Sequence, residues 1–407
     1  MPIDPATRLE LERMAREGLD HARAGTMSLA EGVMELDASL YTDPGRFQAE
    51  IARIFRRVPL MLAMSCEISS PGDYKTIEVA GVPVLIMRGK DGTARAMLNA
   101  CTHRGALLAE GCGHAGRFTC PYHGWSFAHD GQLLAVASPQ DFGEVDKSAL
   151  GLRQFPTFER AGMVFVILDP DSTLDIDSFL GPFGAMLEGF GFGSWHLLEQ
   201  RSVPGTNWKL AHDAHSDWYH LPVLHRDSFG PQTGNRALYS YFGAHHRMFR
   251  PEPEVPPPLP QNDLYRQRDR VPSDWSIEAL MVGGWLIFPN ITLYALYRGG
   301  RRLLNLNQIM PGSHVGESLT IQLTLCEEQP DEDLRDAARK IADMVEQVVR
   351  DEDLANSARQ QRALESGLLP KVRFGRNEGG NQHFHRWFDQ VIATPDKDLA
   401  ALFAKGG

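Results

Sequence analysis

The stretch CTHRGALLAEGCGHAGRFTCPYHGW, residues 101–125, constrains this chain more than any other. Cys101 and His103 stand one residue apart, and Cys120 and His123 stand two apart, so each short segment offers one thiolate and one imidazole. Four such ligands on one metal centre need two loop tips held side by side. The flanking sequence supplies them. From about residue 72 to 168 run short β-rich segments, YKTIEV, VPVLIMR, ARAMLNA, WSFAH and MVFVIL, with turn signals at Asp91-Gly92 and Asp130-Gly131. A small all-β domain over residues 59–170 is expected.

Zinc is the ordinary reading of two cysteines and two histidines. Two features count against it. Only Thr102 separates the first pair, and each loop mixes the two ligand types. A two-iron cluster with unequal irons fits better, with both thiolates on one iron and both imidazoles on the other. Imidazole ligation raises the potential of such a cluster over an all-thiolate one.

These residues resemble the Rieske [2Fe–2S] motif, and the lead-in PGDYKTIEVAGVPVLIMRGKDGTARAMLNACTHRGA resembles that of Rieske non-haem iron oxygenases. Respiratory Rieske proteins carry an extra cysteine in each loop, forming a disulfide. Here Ala106 and Tyr122 occupy those places, which favours the oxygenase or ferredoxin kind. Cys112, between the loops, has no assigned partner and is expected to be a packed or free thiol.

At 407 residues the chain is too long for one ordinary core, so two domains are expected. Residues 1–58 read as helices packing on a catalytic domain, with DPGRFQAEIARIFRRV showing apolar positions at helical spacing. Residues 171–407 alternate strand-like runs (SWHLLEQRSV, ALYSYFGAHHRMF, GGWLIFPNITLYALY, LLNLNQIM, SLTIQLTLCE) with helical ones. The longest helical run is 331–364. Strands followed by a long helix suggest an α+β domain with an antiparallel sheet. The proline-rich segment 250–263 reads as a surface connection.

A net charge of −11 argues against a nucleic-acid partner. The N-terminus is a charged helical pattern without an apolar signal core, and the apolar runs are too short to span a bilayer. Five cysteines, at 66, 101, 112, 120 and 326, form no even framework, so a reducing cytoplasm is expected.

The segment NWKLAHDAHSDWYHLPVLH, 207–225, crowds histidines around a second site. Asp217, His220 and His225 form D-x-x-H-x-x-x-x-H. On a helix Asp217 and His220 would share a face, and Pro222 would end the helix and let His225 swing back to the same metal. Two imidazoles and one carboxylate suit a ferrous site with open positions. His215 with His220 is the competing pair; His212 and His215 are otherwise pocket or supporting residues. The segment resembles the oxygenase family's N-W-K…D-x-x-H-x-x-x-x-H stretch, which favours His220 and His225. A third ligand comes from RDEDLANSARQQRAL, 350–364, which resembles the family's E-D-x-x-x-x-E-x-x-Q-x-G-L segment and points to Asp353. Gln361 and Leu364 match, whereas Ala358 and Ala363 depart. Helical periodicity dissents. Leu334, Ala338, Ile341, Val345, Val348 and Glu352 fall on one stripe, which makes Glu352 the alternative.

The resemblance implies an aromatic-ring-hydroxylating dioxygenase α subunit acting with O2 on a small organic substrate. Asp217 would join His123 of a neighbouring subunit to His220 within a homotrimer. GFGFGSW (189–195) lacks the spacing and strand–helix frame of a dinucleotide site. Electrons must therefore come from a separate ferredoxin or NAD(P)H-dependent reductase. The resemblance also allows a small β subunit. Two alternatives stay open: a Rieske monooxygenase performing N- or O-demethylation, and a Rieske electron carrier without oxygenase activity.

Overall fold

The computed structural model describes residues 3–228, 235–249, 264–298 and 301–405. The segment 250–263 lies outside the described residues. The chain divides into two compact units: Phe55–Ile176, and Met1–Ile54 together with Asp177–Gly407. The sequence placed these boundaries at 58/59 and 170/171. The first falls earlier because the N-terminal helical segment ends in the π turn Ile51–Phe55, and Arg56 already bonds the Ala80 carbonyl of the smaller unit. The second falls later because the acidic turn after Val166 folds back, with Arg153 pairing Asp171.

The smaller unit is mainly β rather than all-β, with short helical turns at Ser65–Ile68 and Pro139–Phe142. Strands 73–79, 82–88 and 94–98 form an antiparallel meander flanked by 112–114 and 154–155. Two three-stranded sheets complete it, one of strands 60–64, 157–160 and 163–166, the other of 118–119, 126–127 and 133–135. Leu85, Met87, Met97, Phe118, Trp125, Phe127 and Leu133 pack one core that also takes in Cys101 and Cys120.

The larger unit is built on a seven-stranded antiparallel sheet. Its strands are β1 (His196–Gly205), β2 (Leu238–Phe242), β3 (His245–Phe249), β4 (Gly284–Ile287), β5 (Ile291–Arg298), β6 (Arg301–Pro311) and β7 (Ser318–Cys326). Strands β2 to β7 follow one another as a meander, and β1 pairs β7 at the far edge. Against one face lie the helices α1 (Trp208–Ser216) and α2 (Glu332–Val348); α2 runs through a π turn, Val349–Leu354, into α3 (Ala355–Glu365). Helix α4 (Gly379–Ala393) packs on α1.

Buried Lys209 and Glu50 anchor α1. The Lys209 ammonium lies 2.7 Å from both carboxylate oxygens, and Trp208 Nε1 donates to the same group. Such a pair costs much desolvation, and its geometry must be maintained to offset it. It therefore fixes the helix rather than merely stabilising it.

The all-helical reading of residues 1–58 needs one correction. Helix Pro5–Ala24, capped by Asp4, and helix Pro44–Glu50 are present, but Met34–Asp37 is a strand paired with Lys371–Phe374. Its alternating half-buried and exposed residues fit an edge strand, not a helix.

Candidate metal centres

Two loops of the smaller unit, only the second of them a hairpin tip, carry the paired Cys and His residues. Each loop closes with a tight turn: Gly105 N–H donates to the Cys101 carbonyl and Gly124 N–H to that of Cys120. Both glycines sit at positive φ, 78° and 73°, which a side chain would resist. Cys101 and Cys120 are buried, while His103 and His123 are half-buried at the tips. The thiols lie within mutual hydrogen-bonding reach, and the two imidazoles meet edge to face with ring centroids 4.7 Å apart. Trp125 stacks on His103 at 5.0 Å, and Tyr122 lies on His123 at 3.7 Å. Burial pushes the Cys101 thiol up. Burial opposes ionisation of Cys120 too, but N–H groups of His123 and Tyr122 outweigh it and lower its pKa.

The Nδ1 atoms of His103 and His123 are both buried without a hydrogen-bond partner among the described residues. Two inward thiols and two orphaned imidazole nitrogens at adjacent tips fit a [2Fe–2S] cluster with its imidazole-bound iron nearer solvent. All five cysteines are free, so no bridge forms across these loops.

In the larger unit, ligand atoms of His220, His225 and Asp353 lie within 4.8 Å of one another, and among the described residues no other such group of three forms. His220 Nε2 faces His225 Nε2 at 3.2 Å. Asp353 Oδ1 is 3.2 Å from His225 Nε2 and 3.6 Å from His220 Nε2, and it is buried without a donor of good geometry. Three inward acceptors facing one another suit a cation of the ferrous kind.

The outer nitrogens are held by carboxylates. His220 Nδ1 lies 3.0 Å from Asp217 Oδ1, and His225 Nδ1 lies 2.7 Å from Glu352 Oε2. Carboxylates in this position orient a ligand ring and raise its basicity. Burial works against charge on His225, but Asp353 and Glu352 outweigh it and raise its pKa.

The chain path to these positions differs from the expected one. Helix α1 ends at Ser216, and Asp217 is extended (φ −128°, ψ 158°), so Asp217 and His220 do not share a helix face. They meet across a corner, where Asp217 Oδ1 also accepts the His220 backbone N–H at 3.2 Å. Pro222 does not end a helix. It opens the short turn Leu221–Leu224, where its missing N–H costs nothing, and His225 leaves at that turn's C-cap.

The disagreement between motif and periodicity also has a structural answer. Buried residues of α2 step Leu334, Ala338, Ile341, Val345 and Val348, and the π turn that follows buries Val349, Asp353 and Leu354. The π turn thus turns Asp353 rather than Glu352 inward. Glu352 reaches His225 from the side instead, a role that sequence reasoning missed.

His215 Nδ1 donates to the Ala211 carbonyl (2.8 Å), and His212 stacks on Phe384 and contacts Ser216. Neither joins the three-residue group. A cavity of about 300 Å³ opens beside His220 and Asp353, lined also by Asp213, Asp217, Tyr41 and Glu378. Tyr41 Oη donates to Asp213, which His385 also contacts at 2.9 Å. Tyr41 and Asp213 carried no signal in the sequence, because the partners of Asp213 lie 172 residues away in the chain on either side.

Comparison with known proteins finds a domain match around each of the two centres. Residues 58–156 match the Rieske [2Fe-2S] domain, and residues 192–394 match the ring hydroxylating alpha subunit (catalytic domain). The chain belongs to the family of Rieske oxygenase large subunits, whose two domains hold a [2Fe–2S] cluster and a mononuclear iron. It is 33% identical over 203 residues to the anthranilate 1,2-dioxygenase large subunit of Acinetobacter baylyi, covering 48% of this chain and 43% of that one. It is 33% identical over 207 residues to the glycine betaine monooxygenase oxygenase subunit of Chromohalobacter salexigens, covering 50% and 46%. The matched stretch thus spans less than half the length of these curated relatives.

The fold is that of naphthalene 1,2-dioxygenase from Rhodococcus sp. (TM-score 0.73, 20% identity, 95% of this chain and 99% of that one). It is also that of a quaternary ammonium Rieske monooxygenase solved with L-carnitine (TM-score 0.71, 23% identity, 90% and 96%). No described helix is long and apolar enough to cross a membrane.

Proposed function

We propose that the chain is the terminal oxygenase component of a ring-hydroxylating system. It would take electrons from a separate ferredoxin or NAD(P)H-dependent reductase and use O2 to hydroxylate a small organic substrate in the cytoplasm. Cys101, His103, Cys120 and His123 would hold the [2Fe–2S] cluster, and His220, His225 and Asp353 the mononuclear Fe(II). The cluster supplies electrons singly, and the ferrous ion supplies the open coordination at which dioxygen is activated.

The convergence of His220, His225 and Asp353 carries this reading, because a Rieske electron carrier has no use for a second metal centre. Asp217 and Glu352 hold the two imidazoles by their outer nitrogens, and both inner nitrogens face Asp353. By family resemblance Asp217 also bridges to His123 of a neighbouring subunit in a homotrimer, a closed head-to-tail ring. A small β subunit is compatible with the same assembly.

Iron analysis tests the reading. The purified protein should hold about three irons per chain, and His220→Ala should lower this to about two with the cluster spectrum intact. About two irons in the unmodified protein would leave only the electron-carrier reading.

Demethylating monooxygenation is the second reading. It is favoured by the likeness to glycine betaine and carnitine monooxygenase subunits, each 33% identical over about half of this chain. Product mass separates the two, since dioxygenation adds two oxygen atoms and demethylation removes a carbon.

A further inference from the structure

The cavity beside His220 and Asp353 is walled by four carboxylates, those of Asp213, Asp217, Asp353 and Glu378. Three of them already have work. Asp353 faces the two histidines, Asp213 holds Tyr41 and His385, and Asp217 holds His220. Glu378 differs. Its Oε2 accepts the Gly375 N–H, and its Oε1 meets no donor among the described residues. Arg373 is the one permanent cation among the lining residues, and Glu35 already holds its Nε at 2.8 Å.

A second free acceptor stands three residues on, in the first turn of α4. Asn381 also lines the cavity and is only 1% exposed. Its Nδ2 donates to the Asp213 carbonyl at 3.3 Å, which fixes the amide, and its buried Oδ1 has no partner among the described residues. A buried acceptor left unmatched is costly. Crowded negative charge is costly too: burial pushes Glu378 up to about 7, and the charges of Asp217 and Asp213 add to it. A cation carrying N–H donors would offset both costs at once.

We infer that the cavity takes a protonated primary or secondary amine as its substrate, with the ammonium group between Glu378 and Asn381. The inference rests on the oxygenase reading above. Two unmatched acceptors call for two N–H donors, which primary and secondary ammonium ions have and a quaternary one lacks. A bare metal ion does not fit, because His220, His225 and Asp353 are the only metal-sized group of three among the described residues. An anion would face four carboxylates, and a hydrocarbon would leave both acceptors unpaired. The rest of the amine is small and apolar: Leu210, Leu364 and Phe374 share the wall, and about 300 Å³ lies at the lower end of ligand-pocket sizes.

Calorimetry on the metal-loaded protein at pH 8, where Glu378 is ionised and a simple amine is still protonated, tests this. The probes are benzylamine, the benzyltrimethylammonium cation and benzyl alcohol. Benzylamine should bind at least ~10-fold more tightly than either of the others. Glu378→Gln keeps the shape and removes the charge. It should weaken benzylamine by ~10-fold or more and leave benzyl alcohol and the iron content unchanged. The ranking of the three probes in the unmodified protein holds whether or not the variant folds. Benzyltrimethylammonium or benzyl alcohol binding as tightly as benzylamine, or benzylamine affinity unmoved in Glu378→Gln, would overturn the inference. Failure of the oxygenase reading is seen separately, in iron content and the cluster spectrum.

Discussion

His225 Nδ1 and Glu352 Oε2 stand 2.7 Å apart, while the neighbouring acid, Asp353, faces the other nitrogen of the same ring. Two consecutive carboxylates thus grip one imidazole from both sides. Ser228 Oγ donates to the same Glu352 oxygen at 2.9 Å, so the outer acid is itself held. This arrangement gives each acid a different task.

Glu352→Ala should therefore weaken mononuclear iron binding by about 10- to 100-fold without removing the site, because the ring loses its orienting partner but keeps its ligating nitrogen. Asp353→Ala should abolish binding altogether. Iron retention during a chelator titration distinguishes the two, with the cluster spectrum as an internal control. Equal losses in both variants would mean that Glu352 ligates directly.

His123→Cys should lower the reduction potential of the cluster, since a thiolate places more negative charge on the iron than a neutral imidazole does. Potentiometric titration followed by EPR reads the change. A colourless unmodified protein holding zinc would remove the basis of this expectation.

Asp217→Asn keeps the corner contact with His220 but loses the charge that stabilises a protonated imidazole. Both metals should stay bound and the cluster should still reduce, while single-turnover oxidation of the reduced cluster with substrate and O2 becomes slow. Mixed trimers sharpen the test. Variants dead at His123 and variants dead at His220, each inactive alone, should recover partial activity together. Verified mixed trimers with no recovery would argue for electron transfer within one chain.

Glu378, in the wall of the cavity beside His220, is pushed up to about 7 by burial, with the charges of Asp217 and Asp213 adding to it. Its folded pKa exceeds its ordinary value of 4.5, so the fold favours the neutral acid. That contribution to stability is present below pH 4.5 and is lost as pH rises through about 7. Glu378→Gln should remove this component. Urea unfolding of the two proteins should converge at low pH and differ by about 1–2 kcal/mol in favour of the variant at pH 8, a figure reduced for partial exposure. A constant difference across this range would contradict it.

Much of this architecture was legible in the sequence. The β-rich runs with Asp-Gly turns marked the smaller unit, and the succession of strands before a long helix marked the antiparallel sheet. The paired Cys and His residues carried their own spacing, which marked both loops.

What escaped has physical reasons. Helical spacing treated Asp217 and His220 as one face, because nothing local announces that the chain turns extended at Asp217. Periodicity put Glu352 inward, since a π turn leaves no compositional mark. LLNLNQIM read as an ordinary strand, although its two asparagines face a buried surface. Which face of a strand meets which helix is decided by long-range packing, and so is the Tyr41–Asp213–His385 contact.

The π turn between α2 and α3 also couples two parts of the molecule that look independent. Each helical residue advances about 100°, so the turn works as a one-step phase shift. Upstream it leaves Leu334 to Val348 packed on the sheet; downstream it sets Ser357, Gln361 and Leu364 inward. Deleting one residue there would restore regular winding only by rotating one helix out of its seat or exchanging the acid that faces the histidines. The site is thus indexed to the helix on either side of it, and length changes in this segment cannot be neutral even where every side chain named here is kept.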